Sequence, residues 1–206
     1  MHISEGVLSP AVLVGGACLT VLGTAIGLRK LDNENLVTVA ILASAFFVAS
    51  LIHVPIGPSS AHLILNGLLG VILGWAAFPA ILVALTLQAL LFQFGGLTTL
   101  GVNTLDMALP PVICYYLFRP LLLRTTSHRA IAAFACGAVA VALSAVLTAT
   151  MLALSGDAFF PVAQLLLLGS IPVMGIEGAV TAGIVSFLFK VRPELFAFAA
   201  PAPPSS

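Results

Sequence analysis

Apolar residues run through this chain in long blocks, without the strict alternation of a half-buried strand or the narrow 3.6-residue stripe of a surface helix. Seven blocks stand out, at 8–28, 36–53, 61–74, 76–94, 104–118, 130–154 and 162–189, divided by short polar or Gly/Pro segments. Crossing the hydrocarbon as a helix needs about 20 residues, with roughly 17–25 tolerated. The third and fifth blocks are short by that standard, yet a short helix still fits where other helices surround it and it lines a cavity. The pattern therefore predicts an all-α, polytopic membrane protein of seven transmembrane helices.

Composition makes a soluble alternative untenable. Of 206 residues, 61% are hydrophobic and only 7% charged, against roughly a quarter charged in an ordinary soluble domain. A core of this size leaves most of that apolar surface outside, so its solvent must be lipid.

The basic residues orient the spans. With seven crossings and the N-terminus outside, the cytoplasmic segments are 29–35, 75, 119–129 and 190–206. They hold Arg29, Lys30, Arg119, Arg124, Arg129, Lys190 and Arg192, which are all seven Lys/Arg of the chain. An even number of crossings, or the reverse orientation, would break this separation, so the positive-inside rule predicts N-out and C-in. One transmembrane domain is expected over 1–200, with a disordered tail at 201–206.

Net charge is zero, which leaves no basic footprint for nucleic acid. Cys18, Cys114 and Cys136 lie in apolar blocks with no CxxC spacing, as small packing residues do. Met1-His2-Ile3-Ser4-Glu5-Gly6 lacks the basic start of a secretory signal and carries an acid, so the mature chain is expected to begin at Met1. Gly23 and Gly27, or Ala140 and Ser144, are small residues at four-residue spacing that let helix backbones approach. No internal repeat of the secondary-transporter kind is evident.

Ionisable and metal-binding groups at membrane depth are functional candidates. Of four histidines, His128 falls in a polar loop and reads as solvated, and His53, ending a block just before Pro55, reads as an interfacial cap. His62 follows Val54-Pro55-Ile56-Gly57-Pro58-Ser59-Ser60, which cannot be regular helix, and then opens an apolar run. It reads either as a cavity-lining ligand or as a buried imidazole bonded to backbone. The Gly/Thr-rich stretch 93–103 reads equally as a lining of the same cavity or as an exterior loop. Glu177 reads as paired or interfacial, and Met107, Met151 and Met174 as apolar filler.

His2 carries the sharpest chemistry. A free α-amine on Met1, the amide nitrogen of His2 and its Nδ1 can close two fused chelate rings on one metal, with the three donors nearly coplanar. A d⁸ ion such as Ni²⁺ favours square-planar nitrogen coordination, and His62 is the natural fourth donor. The amine and imidazole must be deprotonated, so capture is expected to weaken in acid.

At this point the residues resemble a known family. Met1-His2-Ile3-Ser4-Glu5-Gly6, Pro58-Ser59-Ser60-Ala61-His62-Leu63, the stretch from Gln93 to Asn103, and Gly175-Ile176-Glu177-Gly178 followed by Val191-Arg192-Pro193-Glu194 are similar to motifs of the CbiM/NikM family. These are substrate-capture subunits of energy-coupling-factor transporters for cobalt and nickel, in bacterial or archaeal plasma membranes. The resemblance implies seven helices with the N-terminus tucked into the bundle. It implies the Met1 amine, the His2 amide and imidazole, and His62 as ligands of transported Ni²⁺ or Co²⁺. It also implies a transmembrane coupling subunit and cytoplasmic ATPases as partners, with a small extra membrane subunit in many systems, and a supply role toward cobalamin synthesis or nickel enzymes. Cobalt members often carry a Ser-Cys-Ser-His type segment, and Ser59-Ser60-Ala61-His62 has no Cys, which leans toward nickel. The chain has no phosphate-cradling Walker motif, so ATP hydrolysis would fall to partners.

Two other readings compete. An intramembrane hydrolase would use Ser59 or Ser60 with His62 as base, but no Gly-x-Ser-x-Gly elbow and no orienting acid is evident. A non-catalytic membrane scaffold would keep His2 for structure alone.

Overall fold

A computed structural model describes residues 2–56, 59–62, 65–124 and 128–197, and of residues 2, 53–56, 59–62, 124 and 197 only the backbone. Met1 and the tail at 201–206, for which disorder was expected, lie outside the described residues. Among those described, seven α-helices occur: α1 (Pro10–Arg29), α2 (Leu36–Ala49), α3 (Asn66–Leu73), α4 (Ala77–Phe92), α5 (Leu100–Arg124), α6 (Arg129–Ala153) and α7 (Phe160–Val191). Three short strands join them, β1 (His2–Ile3), β2 (His53–Ile56) and β3 (Ser59–His62).

The helices are inside-out relative to those of soluble proteins. On α1 the buried positions are Gly16, Thr20, Gly23 and Gly27, while Val14, Leu19, Val21 and Leu22 face outward. Small residues form the inward seam because packing, not burial from water, drives helices together in lipid. Four stretches are long and apolar enough to cross a membrane: Pro10–Arg29, Asn66–Phe92, Arg129–Ala153 and Asp157–Val191. The chain is an integral membrane protein.

The third apolar block departs from the expected crossing helix. Ala61 and His62 end strand β3, and α3 covers only the eight residues from Asn66. Its length, about 12 Å at 1.5 Å per residue, cannot cross the hydrocarbon alone. Every residue of α3 is buried, with α5, α6 and α7 packed against it, so it is the inner post of the bundle. A turn at Gly74–Ala76 then joins it to α4. The fifth block is longer than expected: α5 accommodates Pro110, Pro111 and Pro120 within its length, as helices with helical neighbours can.

Glycine backbones fuse the post to its surroundings. A Cβ on Gly67 would lie 2.6 Å from Gly137 Cα, and one on Gly137 would lie 2.7 Å from both the Glu177 carbonyl oxygen and Thr181 Oγ1. Helices α3, α6 and α7 thus meet backbone to backbone through a single position. Gly137→Val is expected to cost about 3 kcal/mol, the upper end of ordinary overpacking, because fixed backbone opposes the new side chain. The check is a lowered thermal unfolding midpoint in detergent.

The basic residues gather at one end of the bundle. Lys30 lies 5.8 Å from the Trp75 ring centroid, and Trp75 donates to the Tyr116 hydroxyl (2.9 Å). Arg119 donates to the Phe196 carbonyl (2.9 Å), and Arg129 stacks 3.8 Å from the Phe189 ring. His128, exposed at the start of α6, sits at this end too, as a solvated loop residue should. The three cysteines are free thiols: Cys114 and Cys136 are buried and Cys18 is exposed.

Candidate functional site

At the other end the chain's beginning is drawn inside. The three strands form an antiparallel sheet in the order β1-β3-β2. The all-helical expectation left out this sheet, and the reason is physical. Two- to four-residue strands carry no readable alternation, and Pro55 argues against a strand unless that strand lies at an edge, where β2 does lie.

The register brings the expected residues together. His2 pairs with Ser60 and Ile3 with Ser59, so His2 stands two positions along β3 from His62. Directly opposite residues share a face, as do residues two apart on one strand. Positions 2, 60 and 62 therefore belong to one face of the sheet. His53 pairs directly with His62 and takes the same face. The interfacial cap expected of His53 concerns its imidazole, which lies outside what is described; its backbone holds a ladder position beside His62. Of the expected ligands, the Met1 amine lies outside the described residues, as do the imidazoles of His2 and His62. Among the described residues no three His, Cys, Asp or Glu side chains cluster as a ready metal site.

A side-chain clamp fixes the N-terminal strand. Ile3 is fully buried, its N–H donates to Asn103 Oδ1 (2.9 Å), and Asn103 Nδ2 donates back to the Ile3 carbonyl (3.1 Å). The Asn103 amide thus acts as one more strand partner on the free edge of β1. Both bonds are buried, so losing them would leave unpaired polar groups at about 1–3 kcal/mol each.

Glu5 adds a latch nearer the surface. Its Oε1 accepts from the Thr98 N–H (3.0 Å) and the Thr98 hydroxyl (3.1 Å). Gly96 has φ +121°, and a Cβ there would meet the Glu5 side chain at 2.1 Å. A glycine is required on both counts. The stretch 93–103 therefore packs on the N-terminal segment. Gln88 braces the start of the sheet, donating to the Phe47 carbonyl (3.1 Å) and to the Ser50 hydroxyl just before β2.

The Thr98 amide holds the Glu5 carboxyl below its ordinary value of 4.5. The folded protein thus prefers the charged form. The latch contributes fully above the ordinary glutamate range and is lost as pH falls through the lower folded value. Comparing the melting temperature with that of Glu5→Gln should show a constant gap near neutral pH that closes only in acid.

Behind the clamp lies a buried polar group that the pattern of blocks concealed. Asn66, the first residue of α3, donates Nδ2 to Ser144 Oγ (3.1 Å), and Ser144 donates to the Asp106 carbonyl (2.9 Å). Asn66, Ser144, Thr148 and Asp106 are all fully buried. The signal was available: Asp106 is an acid inside the fifth apolar block. Glu177, expected as paired or interfacial, is fully buried in the middle of α7, which excludes the interface.

Fold and site together define a polytopic membrane protein whose polar interior is organised around its own N-terminal strand. A family model described as the cobalt uptake substrate-specific transmembrane region, CbiM, matches residues 2–195. The chain belongs to the CbiM family. A Haemophilus influenzae protein named for metal transport is 44% identical over 95% of this chain and 96% of its own length. An Archaeoglobus fulgidus protein carrying the name of a fused nickel transport protein, NikMN, is 31% identical over 95% of this chain and 68% of its own. A solved transition metal transporter superposes with a TM-score of 0.83 at 29% identity, covering 97% of this chain and 98% of its own. The chain is a membrane component of cobalt/nickel uptake.

Proposed function

We propose that this protein is the substrate-capture subunit of an ATP-driven energy-coupling-factor importer for Ni²⁺ or Co²⁺ in a bacterial or archaeal plasma membrane. The Met1 amine, the His2 amide nitrogen and Nδ1, and His62 bind the cargo ion in a nitrogen plane. The observation that carries this reading is the β1–β3 ladder, with His2 two register positions from His62 and Ile3 clamped by Asn103.

The mechanism follows from the donors. Amine and imidazole nitrogens release protons to bind metal, so affinity falls with pH. The fused rings preorganise three donors on one short segment, and a fourth on β3 ties the loaded segment to the bundle. Borderline nitrogen donors select late divalent ions over Mg²⁺ and Ca²⁺, which prefer oxygen. The relatives are named for metal transport and not for hydrolysis, which supports a transporter over the serine hydrolase alternative.

Energy would come from outside the chain. A transmembrane coupling subunit and cytoplasmic ATPases, with a small extra membrane subunit in some assemblies, complete the importer in this reading. Seven crossings with N-out and C-in topology agree with basic residues at one end of the bundle and the N-terminal strand at the other. The experiment is cellular uptake of labelled Ni²⁺ and Co²⁺. The protein with its partner subunits should accumulate either ion, and the same assembly lacking this subunit should not. Equal accumulation without it would refute the role.

A further inference from the structure

All tryptophan and tyrosine side chains of this protein lie at one end of the bundle. The chain has one tryptophan and two tyrosines, and Trp75, Tyr115 and Tyr116 stand together there among the basic residues. Such rings settle at the headgroup level of a bilayer, with the apolar body in lipid and the polar atom in the wet layer. Backbone packing fixes Trp75 in its place. It sits on the turn between α3 and α4, and its carbonyl is so close to α1 that a Cβ on Gly27 would lie 2.4 Å from it.

Beside Trp75 stand two donors with capacity to spare. The Lys30 ammonium is 5.8 Å from the indole centroid, exposed, and in no ion pair among the described residues. Asp32 and Glu34, in the connection to α2, are exposed too and do not pair with it. The indole N–H donates to the Tyr116 hydroxyl (2.9 Å), so that hydroxyl keeps its own proton to donate outward, and Tyr116 is 56% exposed. A cation and a hydroxyl donor flanking one ring call for an anion. Ile26 and Leu22 lie four and eight residues back along α1 from Lys30, on the same face, and both are exposed. An apolar track therefore runs from the charged position into the membrane.

We propose that Lys30, Trp75 and Tyr116 form a site for an anionic phospholipid. Its headgroup phosphate rests on the ammonium and the hydroxyl, and its acyl chains follow Ile26 and Leu22. Charge complementarity selects the lipid, since a basic side chain at the membrane surface attracts anionic headgroups. The apolar track and the interfacial ring favour a lipid over an acidic segment of a soluble partner, which would engage the charge alone. The site lies at the end of the bundle away from the N-terminal strand, so it stands independently of the capture reading.

The test uses full-length protein in phosphatidylcholine vesicles that carry a fraction of dibrominated lipid. Bromine quenches tryptophan on contact, and Trp75 is the only tryptophan of the chain, so quenching reads this locus alone. Dibrominated phosphatidylglycerol should bind beside Trp75 roughly fivefold better than dibrominated phosphatidylcholine, the worth of one basic side chain near an anionic surface. Lys30→Gln should abolish the preference and Lys30→Arg should keep it. Lys190→Gln, which removes an equal charge from the last turn of α7, should leave it unchanged. Equal quenching by the two lipids in the parent would overturn the proposal. So would a preference that survives Lys30→Gln or is lost equally in Lys190→Gln, since either shows attraction to the basic end at large. If Lys30→Gln melts early, Tyr116→Phe decides: a weakened preference supports the site, and an unchanged one refutes it. Inorganic phosphate should not relieve the quenching; relief would assign the site to a soluble anion and overturn the lipid reading.

Discussion

Adding even one residue ahead of Met1 is expected to weaken Ni²⁺ binding by roughly a hundredfold or more, since loss of mere outer-shell partners already costs about 10–100-fold. The extension turns a basic α-amine, with an ordinary pKa of about 7.7–8.0, into a peptide nitrogen that does not bind metal at neutral pH. One donor and one of the two fused rings vanish together. The fold should be indifferent to the change, because the Asn103 clamp holds Ile3 and not the terminus. Isothermal titration of extended and native-start proteins, matched for melting temperature, reads the difference. Equal affinities would remove the amine from the ligand set.

His62→Ala is expected to behave differently from His2→Ala, and the ranking is informative. Removing the His2 imidazole breaks the second chelate ring, so binding should collapse as it does on extension. Removing His62 leaves the three donors of the N-terminal segment intact and lets water take the fourth place. Affinity should then fall less, by about 10–100-fold, with a spectrum shifted by the exchange of nitrogen for oxygen. Uptake should nevertheless fail, because nothing ties the metal to β3. Identical losses in both variants would contradict a tridentate tail with a separate fourth donor.

Much of this fold was legible because lipid imposes blunt rules. Five of the seven apolar blocks correspond to helices within about four residues, the fifth lies inside a longer helix, and all seven basic residues fall outside the blocks. The third block failed because its beginning belongs to a hairpin. Pro55 and Pro58 announced the break, but four-residue strands stabilised by a third strand about 50 residues away leave no local period to read. The ends of α5 were misjudged for a related reason. Gly101 and Pro120 look like helix breakers in isolation and are tolerated against helical neighbours, and the charge of Arg119 marks the end of an apolar block without ending the helix.

The residues proposed as ligands stood out in the sequence by their chemistry, and the backbone that supports them did not. Met-His at the start and a histidine after a Pro/Gly break pointed to nitrogen ligation without any knowledge of the ladder. Asn103 was part of a motif whose purpose required the structure: its amide spans 100 residues of sequence to reach Ile3. Asp106 was hidden by averaging, since one acid barely lowers the hydropathy of an apolar block. Reading each ionisable residue singly, before averaging, would have raised it.

The most direct test of the account is the coordination of Ni²⁺ on the native-start protein, read by X-ray absorption at the nickel edge. The account predicts a four-coordinate planar site of nitrogen donors that is lost when the α-amine is acetylated. A six-coordinate, oxygen-rich site, or a spectrum unmoved by acetylation, would contradict it.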